Sequence, residues 1–138
     1  MPSLSGKESV GIIQFLMELD NPSSETVQAI QSAVEWLRES KIYGYRLTRI
    51  PDSISPTGFD KVLITDKDAP PLWARFYTIE SNEPFFSDRD GKMYDDLSEI
   101  SIERRNEYGW VGYWPQELLT KWYPVWQTRW VADDTILK

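Results

Sequence analysis

Two arginines in the central part of the sequence have the residue type and the surroundings needed to bind an anionic ligand. Arg75 lies in the segment WARFY and Arg89 in SDRDG, within a run over 70–115 that mixes cations, aromatic rings and carboxylates. A guanidinium group is planar, keeps its charge at physiological pH and binds a carboxylate through two parallel hydrogen bonds. The pattern favours an acidic ligand, and the alternative is that each arginine pairs with a nearby acid such as Glu80 or Asp90.

Aromatic side chains beside these arginines add a second kind of candidate. An aromatic face can lie against the apolar face of a sugar ring, and the chain has seven tryptophans and seven tyrosines. Four aromatic residues lie in segments without regular periodicity and are candidates for sugar contact, namely Tyr108, Trp110, Trp73 and Trp114. Three tryptophans at helical spacing are instead expected in the core, namely Trp36, Trp122 and Trp126.

Other kinds of chemistry find little support in the sequence. The chain has no histidine and no cysteine, which excludes imidazole bases, thiol nucleophiles, disulfides and the common zinc ligands. The triplet at 103–105, Glu-Arg-Arg, is interpreted as a structural ion-pair network on a helix. The acids clustered over 88–96 do not have the spacing of an EF-hand calcium loop, so no metal ligands are assigned.

Net charge and hydropathy limit the partners. The formal net charge is -7 and no stretch is rich in lysine, which argues against nucleic acid. The negative net charge also argues against a polyanionic sugar. Salt, however, screens the interactions between charges over roughly 10 Å, so a cleft with Arg75 and Arg89 can still attract anions. No apolar run approaches the ~20 residues of a membrane span, and the Met1 end lacks a secretion signal. Either the protein is cytosolic or an export segment lies outside this sequence.

The elements that would position these residues form one predicted domain over 1–138. A capping box at Ser5–Glu8 predicts a helix to about residue 19, packed on more than one side because Ile12 and Phe15 widen its apolar stripe. A second helix follows Asn21-Pro22 to about residue 41, so the two form an antiparallel hairpin. Strands are predicted at 43–50 and 61–65, and irregular structure at 66–92. Further helices are predicted at 96–105 and from 115, the last kinked by Pro124.

Several blocks of this sequence resemble, in order, the carboxy-terminal part of the family 10 polysaccharide lyases, which are pectate lyases. The blocks are PSLSGKESVGIIQFLM, VEWL, TGFDKVLITDKDAPPLWARFY and ERRNEYGWVGYWP. The resemblance implies a mainly α fold, a partial α/α toroid with a small antiparallel β element. It also implies polygalacturonate as partner, calcium as cofactor and an extracellular or periplasmic location. In this family the arginines matching Arg75 and Arg89 hold substrate carboxylates, and Tyr108 and Trp110 are expected beside them.

The resemblance also implies which parts of the reaction this chain lacks. β-Elimination of a uronate polymer needs neutralisation of a carboxylate, a base and help for the leaving oxygen. By resemblance, the arginine base and the region that organises calcium lie upstream of Pro2, so no catalytic residue is assigned. The chain is then expected to be a pectate lyase, or a fragment of one, that is inactive alone. Two alternatives stay open: a non-catalytic uronate-binding module, and a structural fragment that folds only with an upstream catalytic segment.

Overall fold

The structure is a computed structural model, and it describes residues 2–132. The chain begins with a short strand, β1 (Leu4–Ser5), and two helices, α1 (Glu8–Met17) and α2 (Ser24–Glu39). A β-hairpin follows, formed by two strands of seven residues each, β2 (Tyr45–Pro51) and β3 (Phe59–Thr65). This opening half is therefore a helical pair followed by a long β-hairpin.

The second half is built from short strands and helices. Four two-residue strands come first: β4 (Trp73–Ala74), β5 (Phe76–Tyr77), β6 (Phe86–Ser87) and β7 (Met93–Tyr94). A 3-10 turn (Leu97–Glu99), α3 (Ile102–Glu107) and β8 (Val111–Gly112) follow. The last helix comprises α4 (Pro115–Glu117), a π-helical turn (Leu118–Trp122) and α5 (Tyr123–Trp130).

The expectation of a mainly α chain forming a partial α/α toroid is wrong. Of residues 2–132, 39% are helical and 22% are in strands, and these strands form four separate antiparallel pairs. Residues 42–112 contain alternating β-branched and aromatic residues together with prolines, which favour strands and turns over the helical hairpins that a toroid needs. The described part is thus a mixed fold with one helical layer.

The helical layer has its own core. α2 buries Ile30, Val34 and Leu37, spaced four and three residues apart, against α1 and the C-terminal helix. The α2 start is capped by Ser23, whose hydroxyl accepts from the Thr26 amide at 3.2 Å. Trp73 is fully buried in this core and donates its indole N–H to the Leu37 carbonyl at 2.8 Å. It is therefore not available to a sugar.

Several predicted details need correction. The capping box at Ser5 stands one turn ahead of α1: the Ser5 hydroxyl accepts from the Glu8 amide at 3.0 Å, and the helix begins at Glu8. Within the described residues, Ile12 and Phe15 are 63% and 64% exposed, so α1 packs on one side only. Trp122, expected in the core, is also exposed.

The predicted helix over 96–105 is divided in two. The capping box of Asp96 and Glu99 forms as predicted, but it opens only the 3-10 turn, and α3 starts at Ile102. The π-helical turn at Leu118–Trp122 comes directly before Pro124, which has no N–H to offer the carbonyl four residues earlier. No helix within residues 2–132 has the length and apolar character to cross a bilayer.

A second core holds the strands and α3 together. Its buried members are Leu72, Phe86, Leu97, Ile100, Trp110 and Val111. Leu47 and Leu63, a cross-strand pair on one face of the β2–β3 hairpin, pack against it. The candidate site lies at the edge of this second core.

Candidate functional site

An open cavity of about 370 Å³ lies where α3, β5 and β6 meet. Half of its lining residues are aromatic, and one is charged. The lining residues are Ser3, Phe76, Phe85, Ser87, Gly91, Arg104, Tyr108 and Trp110. Two of the predicted site residues, Tyr108 and Trp110, are among them.

Backbone pairing brings the predicted residues to this cavity. β4 pairs with β8, and the Arg75 amide extends that pairing by donating to the Trp110 carbonyl at 2.7 Å. The Phe85 amide donates to the Phe76 carbonyl at 3.1 Å, which sets the opposite wall. Aromatic rings fill the space between, with Tyr108 and Trp110 centroids 4.6 Å apart and Phe76 and Tyr108 stacked at 6.3 Å.

Arg104 supplies the positive charge of the cavity. Its guanidinium carbon lies 5.3 Å from the Trp110 ring centroid and 5.5 Å from that of Tyr108, within cation–π range. Its Nε and Nη2 atoms make long hydrogen bonds to the Ser87 carbonyl, at 3.4 and 3.3 Å. Among residues 2–132 it has no carboxylate partner at ion-pair distance. The cation is therefore held by two rings and a carbonyl and not by an ion pair, and its charge acts on Asp88 only as a minor contribution to the lowered pKa of that carboxyl.

Arg75 is fixed beside the cavity. Its Nε and Nη2 donate to one oxygen of Glu8 at 3.0 and 2.6 Å, and its guanidinium carbon lies 4.2 Å from the Tyr108 centroid. The Arg75 side chain is 16% exposed and that of Glu8 is 48% exposed. Burial acts to raise the pKa of Glu8, but hydrogen bonds from the Ser5 hydroxyl and Arg75 outweigh it, so the pKa is lowered.

Arg89 lies on the loop between β6 and β7, at the rim of the cavity. It forms an ion pair with Glu103, and the two side chains are 65% and 47% exposed. Its loop neighbours Ser87 and Gly91 line the cavity, whereas Arg89 is not among the lining residues. Both predicted arginines thus have an acidic partner, but the partners are Glu8 and Glu103 and not the sequence neighbours Glu80 and Asp90.

The rim loop is held by its own carboxylates. Asp88 accepts from the Arg89 amide at 2.8 Å and from the Ser101 amide at 2.6 Å, and these two bonds lower the pKa of Asp88. The Tyr94 hydroxyl, and next the Lys92 amide, lower the pKa of Asp90 in the same way. Gly91 has a φ of 76°, a conformation that glycine adopts at little cost. The loop is therefore a defined turn docked on the start of α3.

Sequence reasoning missed Arg104, because the whole triplet at 103–105 was interpreted as an ion-pair network. Only Glu103 and Arg105 form such ion pairs. Arg105 donates to both oxygens of Asp60 at 2.9 Å, with both side chains largely buried, and Glu103 pairs with Arg89. No local signal separates the two arginines, because Arg104 and Arg105 are adjacent on α3 and carry the same charge.

The described residues do not fit a calcium site. Within 2–132 no three acidic side chains meet in a cluster that could hold a metal ion. Calcium prefers six to eight oxygen ligands, and the oxygens of Asp88 and Asp90 accept bonds from loop groups. No step of the chemistry below is therefore assigned to a metal on this chain.

A guanidinium that forms no ion pair and lies over aromatic rings, at the edge of an open cavity, can hydrogen-bond an anion. The family of the chain follows from comparison with known proteins. Residues 1–119 match the family model described as pectic acid lyase. The chain belongs to the pectic acid lyase family, and the predicted relationship to family 10 polysaccharide lyases is confirmed.

Two solved structures resemble this chain. One is a point mutant of a family 10 polysaccharide lyase from Cellvibrio cellulosa in complex with trigalacturonic acid: it is 30% identical, with a TM-score of 0.71 over 94% of this chain. The other is the family 10 polysaccharide lyase from Cellvibrio cellulosa, 33% identical, with a TM-score of 0.69 over 85% of this chain. The matches cover 37% and 34% of those chains, so this chain spans little more than a third of their length. No curated protein matches the sequence.

Proposed function

We propose that this chain supplies the surface of a pectate lyase that binds polygalacturonate, with Arg104 as its central carboxylate contact. The observation that carries the proposal is that Arg104 has no acidic partner among the described residues and lies over Tyr108 and Trp110 at the cavity. A uronate residue offers a carboxylate to the guanidinium and an apolar ring face to Tyr108, while Trp110, only 3% exposed, supports Arg104 from behind. The cavity volume falls in the range of small-molecule sites.

Arg89 is proposed as a second carboxylate contact that exchanges partners. Its ion pair with Glu103 is exposed on both sides, and such pairs contribute only about 0–1 kcal/mol. A substrate carboxylate arriving at the rim can therefore replace Glu103 at small cost. The exchange keeps Arg89 paired in both states.

Arg75 is proposed to act from a fixed position. Glu8 accepts hydrogen bonds from two of its nitrogens, and the Tyr108 ring packs against the plane of its guanidinium group. The third nitrogen, Nη1, does not bond to Glu8. A preorganised guanidinium loses little side-chain entropy when it binds an anion. Arg75 thus orients the Tyr108 ring and presents Nη1 to the ligand.

Cleavage is not expected from these residues alone. The residues that line the cavity include no carboxylate and no lysine, and the chain has no histidine. Arg104, the one charged residue of the lining, is assigned to neutralising the substrate carboxylate, which is the first requirement of β-elimination, and so it is not assigned to removing the adjacent proton. We propose that cleavage of polygalacturonate, outside the cell, requires a base and a calcium site from a further catalytic segment. A uronate-binding module is the alternative that this lack of a base favours.

The exposed apolar face of α1 is where we propose that such a segment docks. Ile12 lines a groove of about 330 Å³ between α1 and α2, and Phe15 on the same helix is also exposed. Exposed apolar patches of this kind mark interaction surfaces. The occupant proposed is the polypeptide equivalent to the two-thirds of the Cellvibrio lyase that this chain does not match. Binding of a hydrophobic dye, lost when that polypeptide is co-expressed, supports this assignment, and dye binding that persists in the complex contradicts it.

Calorimetric titration with trigalacturonate tests the proposed function. Because a hydrogen bond to a charged group contributes about 1.5–3 kcal/mol, Arg104→Ala should weaken binding roughly 10- to 100-fold. Arg129→Ala is the matched control, since it removes the same charge from an exposed ion pair with Asp20. Equal binding by the wild type and Arg104→Ala would overturn the proposal. An absorbance assay for unsaturated product tests the assignment of no base: the chain alone should give no product, with or without calcium, and robust turnover would contradict it.

A further inference from the structure

A pair of cations on the β2–β3 hairpin has no acidic partner. Arg49 and Lys61 stand directly opposite each other in the antiparallel register, so both side chains project from the same face. Like charges in this arrangement destabilise a sheet. Neither residue forms an ion pair with any acid among residues 2–132. The hairpin therefore carries an uncompensated double positive charge on a protein with net charge -7.

Two acids close to Lys61, one next to it in sequence and one across a cavity, are already engaged. Asp60, which precedes Lys61, accepts from Nε and Nη2 of Arg105 at 2.9 Å each. Asp96, which lines a neighbouring cavity together with Lys61, caps the 3-10 turn. Neither carboxylate is left over to neutralise the pair.

The two cations are held in place. The Arg49 guanidinium lies over the Phe59 ring, 4.4 Å from its centroid. The Lys61 amide donates to the Asn106 side-chain oxygen at 2.8 Å, which ties this part of β3 to α3. Burial, and next the charge of Arg49, lower the pKa of Lys61, in keeping with a cation that lacks a counterion. The Arg49 guanidinium and the Lys61 backbone are thus held in place before any ligand arrives.

The pair lies near the proposed binding site. Lys61 lines a small hollow together with Tyr108 and Trp110, and both aromatic residues also line the Arg104 cavity. The two cavities therefore share these two rings, and Arg49 stands opposite Lys61 in the hairpin. A polymer that extends from Arg104 beyond Tyr108 would approach the two cations.

From this geometry we propose that Arg49 and Lys61 form a second anion subsite, which binds a carboxylate of an acidic polysaccharide further along the chain from the one at Arg104. The subsite rests on the proposed function, because it takes the same polymer. Its consequence is length selectivity: an oligomer long enough to reach the hairpin gains a contact that a trimer lacks. The charge repulsion within the pair also decreases when the anion binds.

The test compares trigalacturonate and hexagalacturonate by calorimetric titration of four proteins: wild type, Arg49→Met, Lys61→Met and Arg46→Met. Arg46 is the matched control, because it lies on the same strand, projects from the opposite face and carries the same charge. The wild type should bind the hexamer more tightly than the trimer. Each hairpin variant should lose about two- to fivefold in hexamer affinity, as expected for a partly exposed ion pair. Trimer affinity should stay unchanged, and Arg46→Met should match the wild type.

The outcomes separate this proposal from the proposed function. In one outcome, Arg104→Ala no longer binds the trimer, while Arg49→Met and Lys61→Met bind the hexamer as tightly as the wild type does. That outcome refutes the second subsite and supports the site at Arg104. If the wild type binds neither oligomer, both proposals fall. Thermal unfolding guards against misfolding: removal of one of two repelling charges should leave the melting temperature unchanged or raised. A lowered melting temperature would show that the pair has a structural role, which contradicts the proposal.

Discussion

Arg104 and Trp110 make two contacts with each other. The Trp110 indole N–H donates to the Arg104 carbonyl at 2.9 Å, while the Arg104 guanidinium lies 5.3 Å from the Trp110 ring. Trp110 is only 3% exposed, so its position is fixed by the core behind it. The direction of Arg104 is therefore set by packing and by a backbone hydrogen bond and not by an acidic partner. This leaves its charge available to a ligand.

Replacement of Trp110 by phenylalanine should disturb both stability and binding. The ring volume is partly kept, but the buried Arg104 carbonyl loses its donor, which costs about 1–3 kcal/mol. The free energy of unfolding, measured in urea, should fall by that amount, and trigalacturonate affinity should fall with it. Trp122→Phe is the control, because Trp122 is exposed. Equal stability of the two variants would show that the Trp110 hydrogen bond is unimportant.

Two glycines in the first helical region should respond to alanine in opposite directions. A Cβ on Gly6 would collide with the Ala74 carbonyl oxygen and lie 3.2 Å from the Trp73 Cβ, so Gly6→Ala should destabilise by roughly 1–3 kcal/mol. Gly11 lies inside α1 with open space around it, so Gly11→Ala should stabilise by about 0.5–1 kcal/mol. The free energy of unfolding of both variants, measured in denaturant, tests these two expectations. A stable Gly6→Ala protein would contradict the close approach of residue 6 to β4.

Asn106 connects α3 to the hairpin loop. Its amide nitrogen donates to Ser55, Thr57 and the Phe59 carbonyl at 3.3, 3.0 and 2.7 Å, and its oxygen accepts from the Lys61 amide. Asn106→Ala should lower the free energy of unfolding by about 2–4 kcal/mol, since several buried groups lose partners at once.

Glu107, the exposed neighbour of Asn106 on α3, provides the control. Glu107→Ala should change stability by about 0.5 kcal/mol or less. Hydrogen exchange should show faster exchange at the Lys61 amide in Asn106→Ala alone. Unchanged protection there would mean that the network does not hold the hairpin.

The Glu8–Arg75 pair predicts a pH dependence of stability. The pKa of Glu8 is lowered in the folded state from the value of 4.5 expected for an isolated glutamate. Its contribution to stability is therefore complete above about pH 4.5 and is lost as the pH falls through the lowered pKa. Because the pair is partly exposed, we expect about 1 kcal/mol or less at neutral pH. Wild type and Glu8→Gln should differ in unfolding free energy at pH 7 and converge in acid. If the difference in unfolding free energy between wild type and Glu8→Gln grows in acid, the pKa of Glu8 is not lowered in the folded state.

Local signals in the sequence identified much of the secondary structure. The apolar spacing of α2, the alternation in β2 and β3, and the capping box at Asp96 each appear in the structure near the predicted positions. These features depend on residues close together in the chain. The toroid expectation came from the resemblance, and it failed because the strand-forming residues over 42–112 decide the architecture locally.

The site was only partly accessible to sequence reasoning. Tyr108 and Trp110 were chosen, and they line the cavity. The partners of Arg75 and Arg89 could not be found, because Glu8 is 67 residues away from Arg75 and Glu103 is 14 residues away from Arg89. Arg104 and Arg105 are adjacent and chemically identical, yet only tertiary packing pairs Arg105 with Asp60 and leaves Arg104 beside the rings.

A crystal structure of this chain grown with trigalacturonate tests the central claim most directly. The account predicts a uronate carboxylate with its oxygens about 2.7–2.9 Å from the Arg104 guanidinium nitrogens, and a sugar ring against Tyr108. Arg89 should then have left Glu103 for the ligand. A trisaccharide bound elsewhere, or one bound over the cavity with Arg104 still directed only at the Ser87 carbonyl, would contradict it.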